Sequence, residues 1–308
     1  MSTKIEWTDE VWNPVTGCNK VSQGCKNCYA ETLAKRFWDE RKFTDVICHG
    51  DRLLLPYKFK RGSRVFVNSM SDLFHEDVPF EFIRNVMNTI HMNSTLTFQI
   101  LTKRPQRMVE FFKWLNNSNL AVNFPNMWLG VSVENQATAD ERIPLLLQVP
   151  AAVHFLSCEP LLGEVNLTKI DCGDDSFNDC LANQSYFYQK NKKIFLWDTT
   201  NLSNGIKWVI VGGESGHGAR PMHPDWVRNI KYQCEAANVP FFFKQWGEWY
   251  PIYVSNSDTS IRKENKKLYQ YHFETEQKED KWQVMQRIGK KQAGAELDGV
   301  EYKCFPHE

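Results

Sequence analysis

The chain has 308 residues, is 42% apolar and carries 37 basic against 37 acidic residues: enough apolar side chains for a large core, and no net field to draw it to a polyanion or an anionic bilayer. Nine cysteines are an odd number, and the opening MSTKIEWTDE has neither the basic start nor the apolar stretch of a signal peptide, so free thiols rather than a secreted disulfide framework are expected. No apolar run approaches the roughly 18 residues of a membrane span, which makes the cytoplasm the expected location.

In chain order, a weak strand is expected near Ile5 to Val11. It is followed by GCNKVSQGCKNCYAE, residues 17 to 31, which places Cys18, Cys25 and Cys28 in a C-x6-C-x2-C spacing just ahead of a helix candidate from Tyr29 to Arg41. Short apolar runs then alternate with helical spacing. The runs are RVFV (64–67), TFQIL (97–101), MWLGV (127–131), VHFL (153–156), KWVIV (207–211) and VPFFF (239–243), and the helix candidates are Pro79 to Met92, Pro105 to Leu115, Gln136 to Leu147 and Pro224 to Ala237. Pro79 and Pro224 suit a first helical turn, and Asp140, Glu141 and Arg142 suit an amphipathic surface face. Strand-helix alternation of this kind predicts buried parallel strands. The pattern lapses between about 161 and 206, where DCGDDSFNDC is acidic and shows no clear helix, so an irregular insertion is expected. After Tyr250 the composition turns polar; residues 251–308 read as an extension with a hairpin around LYQYHFE, Phe305 packing back on a barrel domain of residues 1–250.

Each apolar run ends in a polar cluster: NSMSD, TKRP, SVEN, SCEP, GGESG and KQWGE. Caps alone would explain Ser, Asp and Asn at strand-to-helix turns. They do not explain the recurring charges Lys103, Glu134, Glu159, Glu214 and Lys244. In a barrel of parallel strands the C-terminal ends open onto one face, where such residues converge on a ligand. The expected fold is therefore α/β: a partial or distorted TIM-type barrel with a C-terminal extension.

The three cysteines fall on that same face, in the loop after the first strand. A structural zinc site would need a fourth protein ligand, for which Cys48 and His49 are nearest. A [4Fe–4S] cluster also needs four ligands, and three from the protein would leave one iron for a chelating small molecule.

Together with FVNSMSDLF, ILTKRP, WLGVSVEN, FLSCEPLLG, VGGESGHGARPMHPDWV, FFFKQWGEW and GKKQAGAELDGVEYKCFP, the cysteine segment resembles the phage-derived three-Cys-motif family, which is related to radical SAM enzymes. The resemblance runs from Ile5 to Pro306 except for about 171–203. It implies a [4Fe–4S] cluster on Cys18, Cys25 and Cys28, S-adenosylmethionine (SAM) on the fourth iron, and release of methionine and a 5′-deoxyadenosyl radical. In that frame Ser69 and Asp72 stand where the SAM amino group is held, Ser132 and Glu134 where the ribose is met, and Gly212, Gly213 and Glu214 where backbone approaches adenine. Lys103, Glu159 and Lys244 remain as catalytic candidates, for substrate or for the SAM carboxylate. The spacing departs from the commonest C-x3-C-x2-C, and Asn27 stands where an aromatic residue is usual. The implied partners are a nucleic acid (DNA or tRNA), an electron donor and a separate partner protein; the contrasting expectation is a non-catalytic module whose zinc or iron–sulfur centre only shapes a binding surface.

Other motifs are weaker. GGESG lacks the spacing of a Walker or dinucleotide loop, and His75, His217 and His223 have no metal-binding spacing. Trp246, Trp249 and Tyr250 suit packing at a barrel rim slightly better than stacking on a base. The basic residues Arg262, Lys263, Lys266, Lys267, Lys290 and Lys291 fit a phosphate contact and a solvated face equally well.

Overall fold

A computed structural model describes residues 3, 5–118, 124–173, 176–189, 192–195, 205–252, 268–274 and 280–306. Seven strands, β1 (Glu10–Trp12), β2 (Arg64–Val67), β3 (Thr97–Thr102), β4 (Met127–Ser132), β5 (Val153–Cys158), β6 (Ile206–Gly212) and β7 (Phe241–Gln245), form one sheet. They are parallel and lie side by side in chain order. A doubly wound sheet would reverse its order at a switch point; an unbroken order is the winding of a (β/α) barrel. β1 and β7 are not paired with each other, so the barrel is partial, as the strand pattern predicts.

Helices α1 (Tyr29–Phe37), α2 (Phe80–Met92), α3 (Pro105–Asn117), α4 (Gln136–Leu146) and α5 (Pro224–Ala236) form crossovers between these strands. Pro105 and Pro224 open α3 and α5, where a missing N–H costs nothing, while Pro79 stands one residue earlier, as the N-cap of α2. α1 stops short of the expected Arg41 because Trp38 turns extended (φ −100°, ψ 127°), its ring 5.9 Å from that of Phe43 and capped by the Arg41 guanidinium at 4.1 Å. Arg142, expected on a solvated face, is buried and donates to the Ser132 carbonyl at 2.8 Å. Its apolar stem packs within the helix layer while the Ser132 carbonyl and the Glu134 carboxylate meet its guanidinium, and this turns it inward.

Alternate residues of each strand face opposite cores. Val65, Val67, Phe98, Ile100, Leu129, Val131, Leu156, Val209, Val211, Phe241 and Phe243 belong to the main core with the helices. Trp7, Phe66, Trp128, Phe155, Trp208 and Phe242 form a second cluster, whose rings meet edge-on: Trp7 to Trp208 at 6.3 Å, Trp128 to Trp208 at 5.8 Å and Trp208 to Phe242 at 6.0 Å. A residue ahead of β1 can touch a β6 side chain only if the sheet curls, so this aromatic cluster fills the inside of the half-barrel.

The C-terminal segment closes its open side. Lys303 bridges antiparallel to Phe242 on β7, and its ammonium reaches Glu6, ahead of β1, at 2.6 Å. Phe305 packs 5.3 Å from both Trp208 and Phe242, and Arg64 of β2 lies over its ring at 4.1 Å. Between β5 and β6 the insertion forms a four-stranded antiparallel sheet within Ile170–Phe195, which the polar composition of that stretch conceals. The strand Leu268–Glu274 pairs antiparallel with Asp280–Arg287, which pairs in turn with Trp249–Ile252; the LYQYHFE hairpin is present. Arg262, Lys263, Lys266 and Lys267 lie outside the described residues. No described helix is long and apolar enough to cross a membrane.

Candidate functional site

Each strand changes character along its inward face. Phe66 leads to Asn68, Trp128 to Ser132 and Glu134, Phe155 to Ser157 and Glu159, Trp208 to Gly212 and Glu214, and Phe242 to Lys244. The two-residue period of a strand keeps these positions on one face. An aromatic floor therefore gives way to a polar mouth at the C-terminal ends, and the cysteine loop after β1 lies on that mouth.

The loop is clamped by residues from three other strand ends. After β3, Arg104 donates from Nη1 to Cys18 Sγ at 3.4 Å and from Nη2 to the Asn19 carbonyl at 3.2 Å. After β4, Glu134 accepts from Ser22 Oγ at 2.9 Å, and Gly24 lies so close that an added Cβ would collide with the Glu134 carboxylate. After β6, Glu214 accepts from Asn27 Nδ2 at 3.0 Å and is chelated by Arg220, whose Nη2 also donates to the Gln23 carbonyl at 2.9 Å. Gly17 enters the loop at φ 97°, a left-handed conformation in which glycine avoids the Cβ clash.

All three cysteines are free and half-buried. Burial first, and then the Asp72 carboxylate, pushes the Cys18 thiol up to about 11, against the opposing pull of Arg104. Left alone, Cys18 is a thiol; a metal would have to displace its proton, after which Arg104 would neutralise part of the thiolate charge. Among the described residues no three His, Cys, Asp or Glu side chains are grouped closely enough to hold a single metal ion. Cys48 pairs with Val15 in a short antiparallel ladder and packs against the main core. His49 Nε2 is 2.8 Å from Thr16 Oγ1. The Cys48 thiol is free, and His49 is held on Thr16, two residues ahead of Cys18.

The remaining residues of the mouth sort by partner. Asp72 is buried and accepts from Thr102 Oγ1 at 2.7 Å, from the backbone N–H groups of Phe74 at 3.0 Å and Lys103 at 2.9 Å, and from Arg104 at 3.4 Å, tying the turn after β2 to the turn after β3. Ser69 shares hydrogen bonds with Asn13, and its carbonyl accepts from the Tyr29 hydroxyl at 2.6 Å. Lys103 Nζ donates to Ser132 Oγ at 2.8 Å and lies 3.7 Å from Glu134. Glu134 is held by Arg142 at 3.2 Å, both side chains being almost wholly buried. Lys244 and Glu159 pair at 3.0 Å, each partly open to solvent. Gly212 sits beneath that pair: a Cβ there would stand 2.6 Å from Glu159 Oε1. Burial alone would push the Glu214 carboxyl up, yet Arg220 and Asn27 together hold it below its ordinary range.

Arg104, Arg220, Ser22 and Asn27 are the residues holding the loop that strand-end reasoning misses, because each has a partner far away in sequence. Trp246 and Trp249 are buried, and their indole N–H groups donate to the Glu296 and Ala219 carbonyls at 2.8 and 2.7 Å, so they serve as packing anchors. His75 is buried and its Nδ1 accepts from the Asp77 N–H at 3.1 Å.

The fold and mouth define an α/β half-barrel protein with three free cysteines on its first strand-end loop. The chain belongs to the family described as "Protein of unknown function (DUF5131)", whose model matches residues 2–306. A solved structure of a cysteine-to-serine mutant of spore photoproduct lyase is similar over 94% of this chain and 71% of that one, at 11% identity and a TM-score of 0.40. No curated protein matches.

Proposed function

We propose that Cys18, Cys25 and Cys28 hold a [4Fe–4S] cluster whose fourth iron is left to SAM, and that the chain is a radical SAM-type enzyme acting on nucleic acid, DNA or tRNA. The observation that carries this reading is the clamped cysteine loop: three free thiols on the polar mouth, held there by Arg104, Glu134 and Arg220. When bound, the reduced cluster and SAM supply one-electron cleavage of the sulfonium to methionine and a 5′-deoxyadenosyl radical, the electron coming from an external donor.

The chain's own residues would then position and shield. Arg104, Glu134 and Arg220 fix the loop. Lys244 and Lys103 offer cations to a carboxylate and Ser69 and Ser132 offer hydroxyls, whereas the space beside Gly212 and Gly213 is taken by Glu159 and the Trp246 carbonyl. The aromatic floor beneath excludes water from the inner face.

The test is to purify the protein without oxygen, reconstitute it with iron and sulfide, add SAM and dithionite, and measure 5′-deoxyadenosine. The reading expects a brown protein that forms the nucleoside, and a colourless, inactive Cys25→Ala variant. Zinc retained in place of iron would instead make the chain a metal-shaped binding module for a partner protein or nucleic acid.

A further inference from the structure

One flank of the mouth differs from the rest of the surface. Between Lys20 and Arg61 the chain carries ten Lys and Arg against five Asp and Glu, although its totals balance at 37 each. Eight of the thirteen exposed large apolar side chains among the described residues also fall between Val21 and Tyr57. Tyr29, Leu33 and Phe37 recur every four residues and so form one stripe along α1. Phe37 is 68% exposed, and the Arg36 guanidinium lies 5.3 Å from its ring. At the end of the stripe a cleft of about 490 Å³ has Cys18 on one wall and Trp38, Arg41, Lys42 and Phe43 among its lining. Arg41 donates from Nη1 to the Thr16 hydroxyl and from Nη2 to the Thr16 and Asp45 carbonyls, and its Nε is buried without a hydrogen-bond partner; Glu31 and Asp39 also line the cleft, beside Lys20 and Lys35.

A protein partner of ordinary kind would cover the apolar stripe but leave this cation excess unmatched. Exposed aromatic rings interleaved with cations suit a ligand with flat faces and a charged backbone, which is single-stranded nucleic acid. From Tyr29 to Phe37 the helix rises about 12 Å, room for about three to four nucleotides at roughly 3.4 Å each. We propose that α1 and the adjoining cleft are a platform for a single strand of DNA or RNA, which leads it to the cysteine loop. The proposal rests on the nucleic-acid half of the functional reading and specifies the strand form and its path.

The test is fluorescence anisotropy of a labelled mixed-sequence single-stranded 20-mer with the full chain, titrated across salt concentrations. Binding should weaken steeply with salt and exceed binding to the matching duplex. Charge reversal in Arg36→Glu/Lys42→Glu should weaken it about tenfold or more and flatten the salt slope. Phe37→Ala should weaken it about fivefold with the slope unchanged. All these side chains are exposed, and an unaltered thermal unfolding curve shows that a variant is folded. Affinity unchanged in these variants, equal affinity for duplex, or equal competition by polyglutamate, which would mark an acidic protein as the partner, overturns the proposal. Cys25→Ala protein should bind the strand as wild type does, so a failed platform and a failed cluster are told apart.

Discussion

The two ends of the half-barrel are made by the same strands and obey opposite rules. At the floor, Trp7, Phe66, Trp128, Phe155, Trp208 and Phe242 interlock and Phe305 seals them. A few residues along the same strands the mouth pairs its charges, Lys103 and Lys244 with residues of another strand end and Glu134 and Glu214 with an arginine of their own strand-helix unit. The floor is held by area and shape, which any apolar set of similar volume would approximate; the mouth is held by directional pairs, where loss of one partner strands the other. Stability should therefore be concentrated at one end and chemistry at the other.

The largest expected effect breaks the floor. Trp208→Ala removes the ring at the centre of the cluster and should cost about 3–5 kcal/mol, read as a lower midpoint in urea with an unchanged slope. A loss below about 1 kcal/mol would mean that the aromatic plug is not what holds the curled sheet. Arg142→Ala comes next, because it leaves the Glu134 carboxylate buried with only the Ser22 hydroxyl and the more distant Lys103 near it; about 3 kcal/mol is expected. Arg142→Ala/Glu134→Ala should recover part of that loss, since the second change removes the stranded charge.

Glu214→Gln sharpens the comparison through pH. The folded-state carboxyl is held below its ordinary range, so its contribution is present above an unfolded value of about 4.3 and is lost as pH falls through the lower folded one. The variant should be less stable than wild type at pH 7 by about 2 kcal/mol, with the gap closing on acidification below about pH 4. A gap that stayed constant would remove the Arg220 and Asn27 bonds as its cause. The smallest effect on stability is expected at the mouth's open pair. Lys244→Ala deletes a partly exposed cation and should change unfolding by under about 1 kcal/mol while abolishing 5′-deoxyadenosine formation.

The strands and their polar ends were legible in sequence as apolar runs of four or five residues, each terminating in a polar cluster; which of those residues turn inward to make the floor depends on the curl of the sheet. The partners of those clusters were not legible. Asn27 and Glu214 are 187 positions apart and Arg104 and Cys18 are 86 apart, so only the curl of the sheet brings them together. Arg142 was misread for a related reason: a charged residue on a helix is ordinarily solvated, and nothing local marks the carbonyl and carboxylate that draw it inward. Asp72 shows the converse. Its place at a strand end is plain, but its carboxylate is already engaged by two turns.

The central claim is that three cysteines hold the metal centre and no fourth side chain closes it. The most direct measurement is the iron content and electron paramagnetic resonance spectrum of anaerobically reconstituted Cys48→Ala/His49→Ala protein, with and without SAM. The account predicts wild-type iron, a reduced-cluster signal and a shift of that signal when SAM is added. Loss of iron in that variant, or a spectrum indifferent to SAM in the wild type, would contradict it.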